Sequence, residues 1–257
     1  MSLQRVAVIG DPHGVYEEFN LLVSKLKWIG LDEIWTTGDL VDRGADSHAV
    51  IQTCIKQGIK SVRGNHDDSI VNHWNRQVIQ GGPPSKNADK RVTISQLTQE
   101  DVNYLDSLPP LHVFDDLGLI LVHGGVWPKI PLYKQPINTI RAQMIHPEKL
   151  GESRWWGADS IMGKNKKTEE QNREDGFSRW YELYDYKEDI IYGHSTFAQP
   201  MVFENGIGGK SIGVDTGSCF GGSVTACIYE STGSFYFISV KSKKVYCEDT
   251  RRSFWEG

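Results

Sequence analysis

The sequence is poor in the features that would assign it to a special class. Cysteine is scarce: Cys54, Cys219, Cys227 and Cys247 are the only four in 257 residues. None lies in a Cys-x-x-Cys pair, which excludes a disulfide-stapled scaffold. They read as reduced thiols in a cytosol-like compartment, with a disulfide among them left open. No apolar stretch approaches the roughly 20 residues that cross a bilayer, so a membrane protein is not expected. The run Val6–Ile9 is too short for the apolar core of a signal peptide, and a cytoplasmic location is the expectation. Positive charge is not in excess either. The 28 Lys and Arg residues against 33 Asp and Glu leave a net charge of −5, which argues against bulk electrostatic binding to nucleic acid, a local basic groove aside. Internal repeats and low-complexity segments are missing. The remainder, with 39% hydrophobic residues, is a globular protein able to bury a substantial core.

Hydrophobic spacing suggests alternating strands and helices in the first half. Val6–Ile9 reads as a buried strand, and Phe19, Leu22, Val23 and Leu26 recur at helical spacing. A second strand is expected over 34–37, a helix around Ala49, Val50, Thr53 and Cys54, and a third strand over 59–62. Each strand runs into a glycine followed by polar residues, the pattern of parallel βαβ units whose loops gather at one sheet edge. Further apolar runs cover 119–122 and 190–192. Short strands at hairpin spacing follow over 201–203, 211–214, 224–229, 235–240 and 244–247. Between about 128 and 188 the chain is rich in tryptophan, charge and turn residues with no clean period. The expectation is a single α/β domain over 1–257, two sheets face to face, with 128–188 as an irregular inserted cap.

Five strand ends share one design: GDPHG (10–14), GDLVDRG (38–44), GNHD (64–67), HGG (123–125) and GH (193–194). Each glycine lets the backbone turn sharply and approach a ligand closely. The residues beside them are hard or borderline metal ligands. One such turn is ordinary chain punctuation; five in one chain are not. Within RGNHDDS (63–69), Asn65, His66 and Asp67 could each bind a metal, and His66 could instead carry a proton.

In this order the five stretches resemble the motif set of the phosphoprotein phosphatase superfamily of calcineurin-like metallophosphoesterases. The resemblance implies a four-layer α/β sandwich, two mixed sheets flanked by helices. It implies two divalent metal ions, Mn²⁺ first, with Fe, Zn²⁺ or Co²⁺ as alternatives. Asp11 and His13 would bind the first metal, Asp39 would bridge, and Asn65, His123 and His194 would complete the second. Two metals about 3.5–4 Å apart activate a water for in-line attack on phosphorus. Arg43 would grip phosphate oxygens through its planar fork. Asp42 would hold His66 as the proton donor to the leaving oxygen, an effect worth roughly 10²–10⁴-fold. Asp67 would support the site without binding metal. Arg63, Arg154 and Arg179 are lesser candidates for phosphate contacts.

Two departures narrow the branch. Asp67 stands where eukaryotic Ser/Thr phosphatases of the superfamily usually carry Glu, and their late SAPNYC segment is absent. In its place GVDTGSCFGGSVTA (213–226) is similar to the corresponding segment of bacterial-type enzymes, which include diadenosine tetraphosphatases and ApaH-like phosphatases. The expected activity is cleavage of a phosphoanhydride of diadenosine tetraphosphate or a related nucleoside polyphosphate, including an RNA cap. A Ser/Thr or dual-specificity phosphoprotein phosphatase is the alternative. A non-catalytic metal-binding scaffold is disfavoured because the ligand positions, His66 and Arg43 are all present. Trp127, Trp155, Trp156, Phe177, Trp180 and Tyr181, with Lys164, Lys166 and Lys167, could supply base stacking and charge for a nucleotide. Cap aromatics more often form a local core.

Overall fold

The computed structural model describes residues 3–154 and 169–248. Strand β1 (Arg5–Ile9) is buried on both faces: Val6 and Val8 enter one core, Ala7 and Ile9 another. That double burial is why its sequence is a continuous apolar run. Helix α1 (Tyr16–Leu26) buries Phe19, Leu22, Val23 and Leu26 on the face their spacing predicts. Strand β2 (Glu33–Thr36) leads to helix α2 (Ser47–Gln57). Asp46 caps that helix by accepting the Ala49 N–H, and left-handed Gly58 ends it. Strand β3 spans only Lys60–Ser61. Then come helices α3 (Asn65–Trp74), α4 (Ala88–Gln96) and α5 (Gln99–Ser107). The hairpin β4 (Leu111–Phe114) and β5 (Leu119–Val122) opens the second half. The cap contributes β6 (Met144–Ile145), β7 (Ser153–Arg154), α6 (Glu169–Glu174) and β8 (Ser178–Arg179). Strands β9 (Asp189–Tyr192), β10 (Met201–Glu204), β11 (Lys210–Gly213), β12 (Ser223–Glu230) and β13 (Phe235–Lys241) complete the order.

Two five-stranded mixed sheets result, ordered β13-β12-β1-β2-β3 and β10-β11-β9-β5-β4, with a small antiparallel sheet β7-β6-β8 in the cap. Strands β1, β2 and β3 are parallel to one another, as are β5, β9 and β11. Alternation along the strands divides the core into layers. Val6, Val8, Leu119, Leu121, Ile191 and Ile212 fill the space between the sheets. Ala7 and Ile9 face α1 and α2, while Ile120, Val122, Ile190 and Tyr192 face the cap. The fold is thus the expected pair of mixed sheets with helices outside, and the cap supplies the layer over the second sheet. Among the described residues no helix is long and apolar enough to cross a membrane.

Two regions differ from expectation. Residues 244–247 form no strand; the chain leaves β13 and crosses the 218–221 turn, where the N–H groups of Tyr246 and Cys247 share the Cys219 carbonyl at 2.9 Å. Buried Glu18 of α1 pins the same segment, accepting from the Lys243 N–H and the Tyr246 hydroxyl. The other region, 65–107, carries three helices that the hydrophobic spacing did not announce.

Candidate functional site

The five glycine-bearing loops leave the C-terminal ends of β1, β2, β3, β5 and β9, so the topology alone brings their polar residues to one edge. Closeness requires several of these glycines, two of them against Asp39 and Asp11. A Cβ on Gly64 would lie 2.1 Å from the Asp39 nitrogen, and one on Gly193 would lie 1.9 Å from Asp11 Oδ1. The backbone is also strained there. Among the described residues six non-glycines have positive φ, and five of them are His13, Asp39, Asp42, Arg43 and His194. Such conformations cost about 1–3 kcal/mol each and persist where surrounding contacts over-determine them.

Asp39 is the centre. Its carboxylate belongs to two groups of facing ligand atoms, one with His13 and His66, the other with His123 and His194, each group lying within 4.8 Å. Asp39 Oδ2 is 3.5 Å from His13 Nε2 and 3.4 Å from His123 Nε2. Asn65 Oδ1 stands 3.1 Å from the same His123 nitrogen. Both imidazoles commit their Nδ1–H to a carbonyl: His13 donates to Val41 O at 3.0 Å and His123 to Thr37 O at 2.7 Å. Each Nε2 is thereby turned to the centre, the arrangement by which outer partners orient metal-ligating histidines.

Opposite charges and burial set the protonation of these groups against one another. Burial lowers the His123 pKa, but the Asp39 and Asp11 carboxylates outweigh it and hold it up at about 10. Burial raises Asp39, yet His123, His66 and His13 keep its carboxyl well below the usual range. His13 is held well below its ordinary value by burial and by Arg43, and His194 by burial and His123. A set of imidazole nitrogens and oxygens around a shared carboxylate suits a borderline divalent cation. The residues present therefore fit metal ions.

Asp11 sits one step aside. Its Oδ1 accepts the Thr37 hydroxyl at 2.6 Å and its Oδ2 accepts the His194 N–H at 2.8 Å, tying the first strand end to the last. Burial and Asp215 push its carboxyl well above the usual range. His66 Nδ1 lies 2.7 Å from Asp42 Oδ2, and the Arg43 guanidinium reaches both His66 Nε2 at 3.0 Å and His13 Nε2 at 3.1 Å. Hydrogen bonds from His66 outweigh burial and hold the Asp42 carboxyl far below its ordinary value.

Asp67 has a defined task. It is fully buried on α3 and accepts three backbone N–H groups, from Asp39 at 2.8 Å, Leu40 at 2.9 Å and Gly64 at 2.9 Å. It thus clamps the loop after β2 to the loop after β3. Burial and the Asp39 carboxylate push its carboxyl up to about 7.

Other expected contacts lie elsewhere. Arg63 is bound to the Asp106 side chain at 3.0 Å and to the Asp106 carbonyl. Arg179 pairs with Glu169 at 2.7 Å and donates to the Tyr181 hydroxyl, and Arg154 pairs with Asp175. Trp127, Phe177, Trp180 and Tyr181 are all buried and offer no stacking surface: Trp127, Trp180 and Tyr181 pack with the second sheet, and Phe177 lies against Arg154 and His146. Trp155, Trp156, Lys164, Lys166 and Lys167 lie outside the described residues. The motifs alone did not single out Thr37, Lys90 or the roles of Asp215 and Phe220. Asp215 accepts the Thr196 hydroxyl at 2.9 Å beside Asp11's edge, and the Phe220 ring lies 5.0 Å from the Arg43 guanidinium carbon. The VDTG stretch that carries Asp215 was visible as a signature but not as a contact.

Comparison with known proteins gives the family and its relatives. The family model for calcineurin-like phosphoesterases matches residues 4–197. The chain is 26% identical over 280 residues to a symmetrical bis(5'-nucleosyl)-tetraphosphatase of Photorhabdus laumondii, covering 92% of this chain and 98% of that one. It is 27% identical over 267 residues to the asymmetrical bis(5'-nucleosyl)-tetraphosphatase PrpE of Anoxybacillus flavithermus, covering 96% and 98%. Among solved structures, that of a candidate diadenosine tetraphosphatase superposes with a TM-score of 0.69 at 24% identity, over 93% of this chain and 94% of that chain.

Proposed function

This chain belongs to the calcineurin-like phosphoesterase family and is a metal-dependent hydrolase, and from that premise we propose that it cleaves a phosphoanhydride bond of diadenosine tetraphosphate or a related nucleoside polyphosphate. The observation that carries the chemistry is Asp39, one carboxylate shared by two histidine-bearing groups beside an arginine. The substrate reading is supported by relatives named for tetraphosphatase activity that match nearly end to end. Both symmetrical and asymmetrical enzymes are among them, so the position of cleavage is left to experiment.

Asp11, His13 and Asp39 would hold one divalent ion, Mn²⁺ by preference, and Asp39, Asn65, His123 and His194 a second. When bound, such ions polarise phosphoryl oxygens and make water nucleophilic near neutral pH. The chain's own residues do the remaining work. Arg43, with its fork facing the cluster and its guanidinium carbon over the Phe220 ring, grips two phosphoryl oxygens. Asp42 anchors His66 through Nδ1; His66 Nε2, which accepts from Arg43 in this structure, would carry a proton to the leaving oxygen once the guanidinium turns to phosphate. Asp67 holds the Asp39 loop against the Asn65 loop.

The test is parallel turnover of diadenosine tetraphosphate, capped RNA and a phosphopeptide panel with Mn²⁺ or Co²⁺. The tetraphosphate is expected to exceed the peptides in kcat/KM by at least about tenfold, or roughly 1.4 kcal/mol of transition-state discrimination. Turnover of the peptides alone would overturn the substrate assignment in favour of a phosphoprotein phosphatase.

A further inference from the structure

We propose that Lys90 is a positioning residue for proton transfer, and that the polar face of α4 holds the Asp42–His66 pair in register. The inference rests on the reading of His66 as proton donor. The loop to be held is strained: Asp42 and Arg43 both have φ of 70°. Two successive left-handed non-glycine residues need outside support.

That support comes from α4. Lys90, Thr93 and Gln96 recur every three residues and so share one face of the helix. Lys90 Nζ lies 3.3 Å from Asp42 Oδ2, the same oxygen that faces His66 Nδ1 at 2.7 Å. Thr93, which is buried, lies on the same face close to that carboxylate and helps to hold it in its charged form. One turn on, Gln96 Oε1 accepts the Ser47 N–H at 3.2 Å and its Nε2 donates to Ala45 O at 3.1 Å. Ser47 in turn accepts the Asp42 N–H at 3.2 Å. The side-chain hydrogen bonds of Lys90 and Gln96 thus all fall within residues 42–47.

The placement of Lys90 is costly for the helix itself. It sits in the first turn, its N–H accepted by the Asn87 cap at 3.2 Å, where the helix dipole disfavours a cation. Its ammonium is compensated by Asp42. Two donors converging on Asp42 Oδ2 from different elements fix the carboxylate's orientation, and with it the plane of the His66 ring. Lys90 acts through Asp42 and touches no reacting atom.

The experiment is a double-mutant cycle on the metal-loaded full chain, with whichever substrate the wild type hydrolyses fastest. Lys90→Gln is expected to lower kcat about tenfold, a part of the effect of a positioned general acid. KM and the inhibition constant of inorganic phosphate should stay within twofold, and Lys90→Arg should recover most of the rate. In an Asp42→Asn background, Lys90→Gln should change kcat by less than twofold. If Lys90→Gln failed to fold, Lys90→Met would be read in its place, with the same expected loss in kcat and the same silence behind Asp42→Asn. Raised KM and weakened phosphate inhibition with kcat intact would make Lys90 a phosphate contact and overturn the proposal. Losses from Asp42→Asn and Lys90→Gln that multiply would also overturn it. Should Asp42→Asn alone leave kcat unchanged, the proton-donor reading would fall instead.

Discussion

Replacing Asp67 by alanine removes the acceptor for three backbone donors, the N–H groups of Asp39, Leu40 and Gly64. The site is fully buried, so water cannot stand in for the lost carboxylate. Each stranded donor costs about 1–3 kcal/mol, a gross loss of roughly 3–9 kcal/mol. An opposing effect reduces this loss. The same carboxyl is pushed up to about 7 by burial and by Asp39, so its removal relieves a repulsion. The net loss should be about 3 kcal/mol, or about 6–12 °C in Tm for a chain of this size. Metal ions separate the two effects. Cations at Asp39 would neutralise the repulsion and leave the hydrogen bonds untouched. Asp67→Ala should therefore destabilise the Mn²⁺-loaded protein more than the metal-stripped protein, and Asp67→Asn should lie between alanine and wild type. Thermal melts of all three forms with Mn²⁺ and with chelator read this directly. A loss below about 1 kcal/mol in the loaded form would refute the clamp, and equal losses in both forms would refute the opposing repulsion.

Three further outcomes are expected. Mn²⁺ at a hundredfold excess over its Kd should stabilise the wild type by about 2.7 kcal/mol, and Asp39→Asn should abolish most of that gain, as followed by Tm against metal concentration. Gly193→Ala would press a Cβ against Asp11 Oδ1 and, at 2.6 Å, against Thr37 Oγ1, so metal stoichiometry measured by elemental analysis should fall below that of wild type. Asp101 supplies a pH test away from the site. Burial raises its carboxyl, but bonds from Gln52, Thr98 and His48 outweigh it and hold it below the usual range. Its stabilising contribution is therefore present above about pH 4, the ordinary carboxyl range, and is lost as pH falls through the lower folded value. Asp101→Asn should flatten the acid limb of the stability curve; an unchanged limb would refute it.

The sequence made legible what depends on local pattern. The apolar run at 6–9 and the spacing of Phe19, Leu22, Val23 and Leu26 foretold β1 and α1, because burial on both faces or on one helical stripe writes itself into neighbouring residues. The glycine-bearing strand ends likewise foretold that Asp11, Asp39, Asn65, His123 and His194 would meet at one edge. Helix α4 was not legible, since Lys90, Thr93 and Gln96 present a polar face to a polar loop and leave no apolar period to detect. The arginines failed for a similar reason. Arg63 lies beside the GNHD motif in sequence, yet its guanidinium turns to Asp106, 43 residues away. Nothing local distinguishes a guanidinium that meets phosphate from one that meets a carboxylate. Asp67 was legible as a support, but its three donors come from loops 27 and 28 residues upstream and from its own helix start, which only the fold brings together.

The bond from the His194 N–H to Asp11 spans 183 residues, and the bond from the Ser218 hydroxyl to the Asp11 carbonyl spans 207. Strand β1, which delivers Asp11, is flanked on one side by β12, so its place in the sheet is completed only when residues beyond 222 arrive. A chain emerging from the ribosome would carry Asp11, His13, Asp39, Asn65 and His123 long before it could assemble them. Assembly of this candidate ligand cluster is therefore expected only once the chain has been made through β12. Fragments ending short of that point would carry most of the candidate ligands without the bonds that seat Asp11 among them.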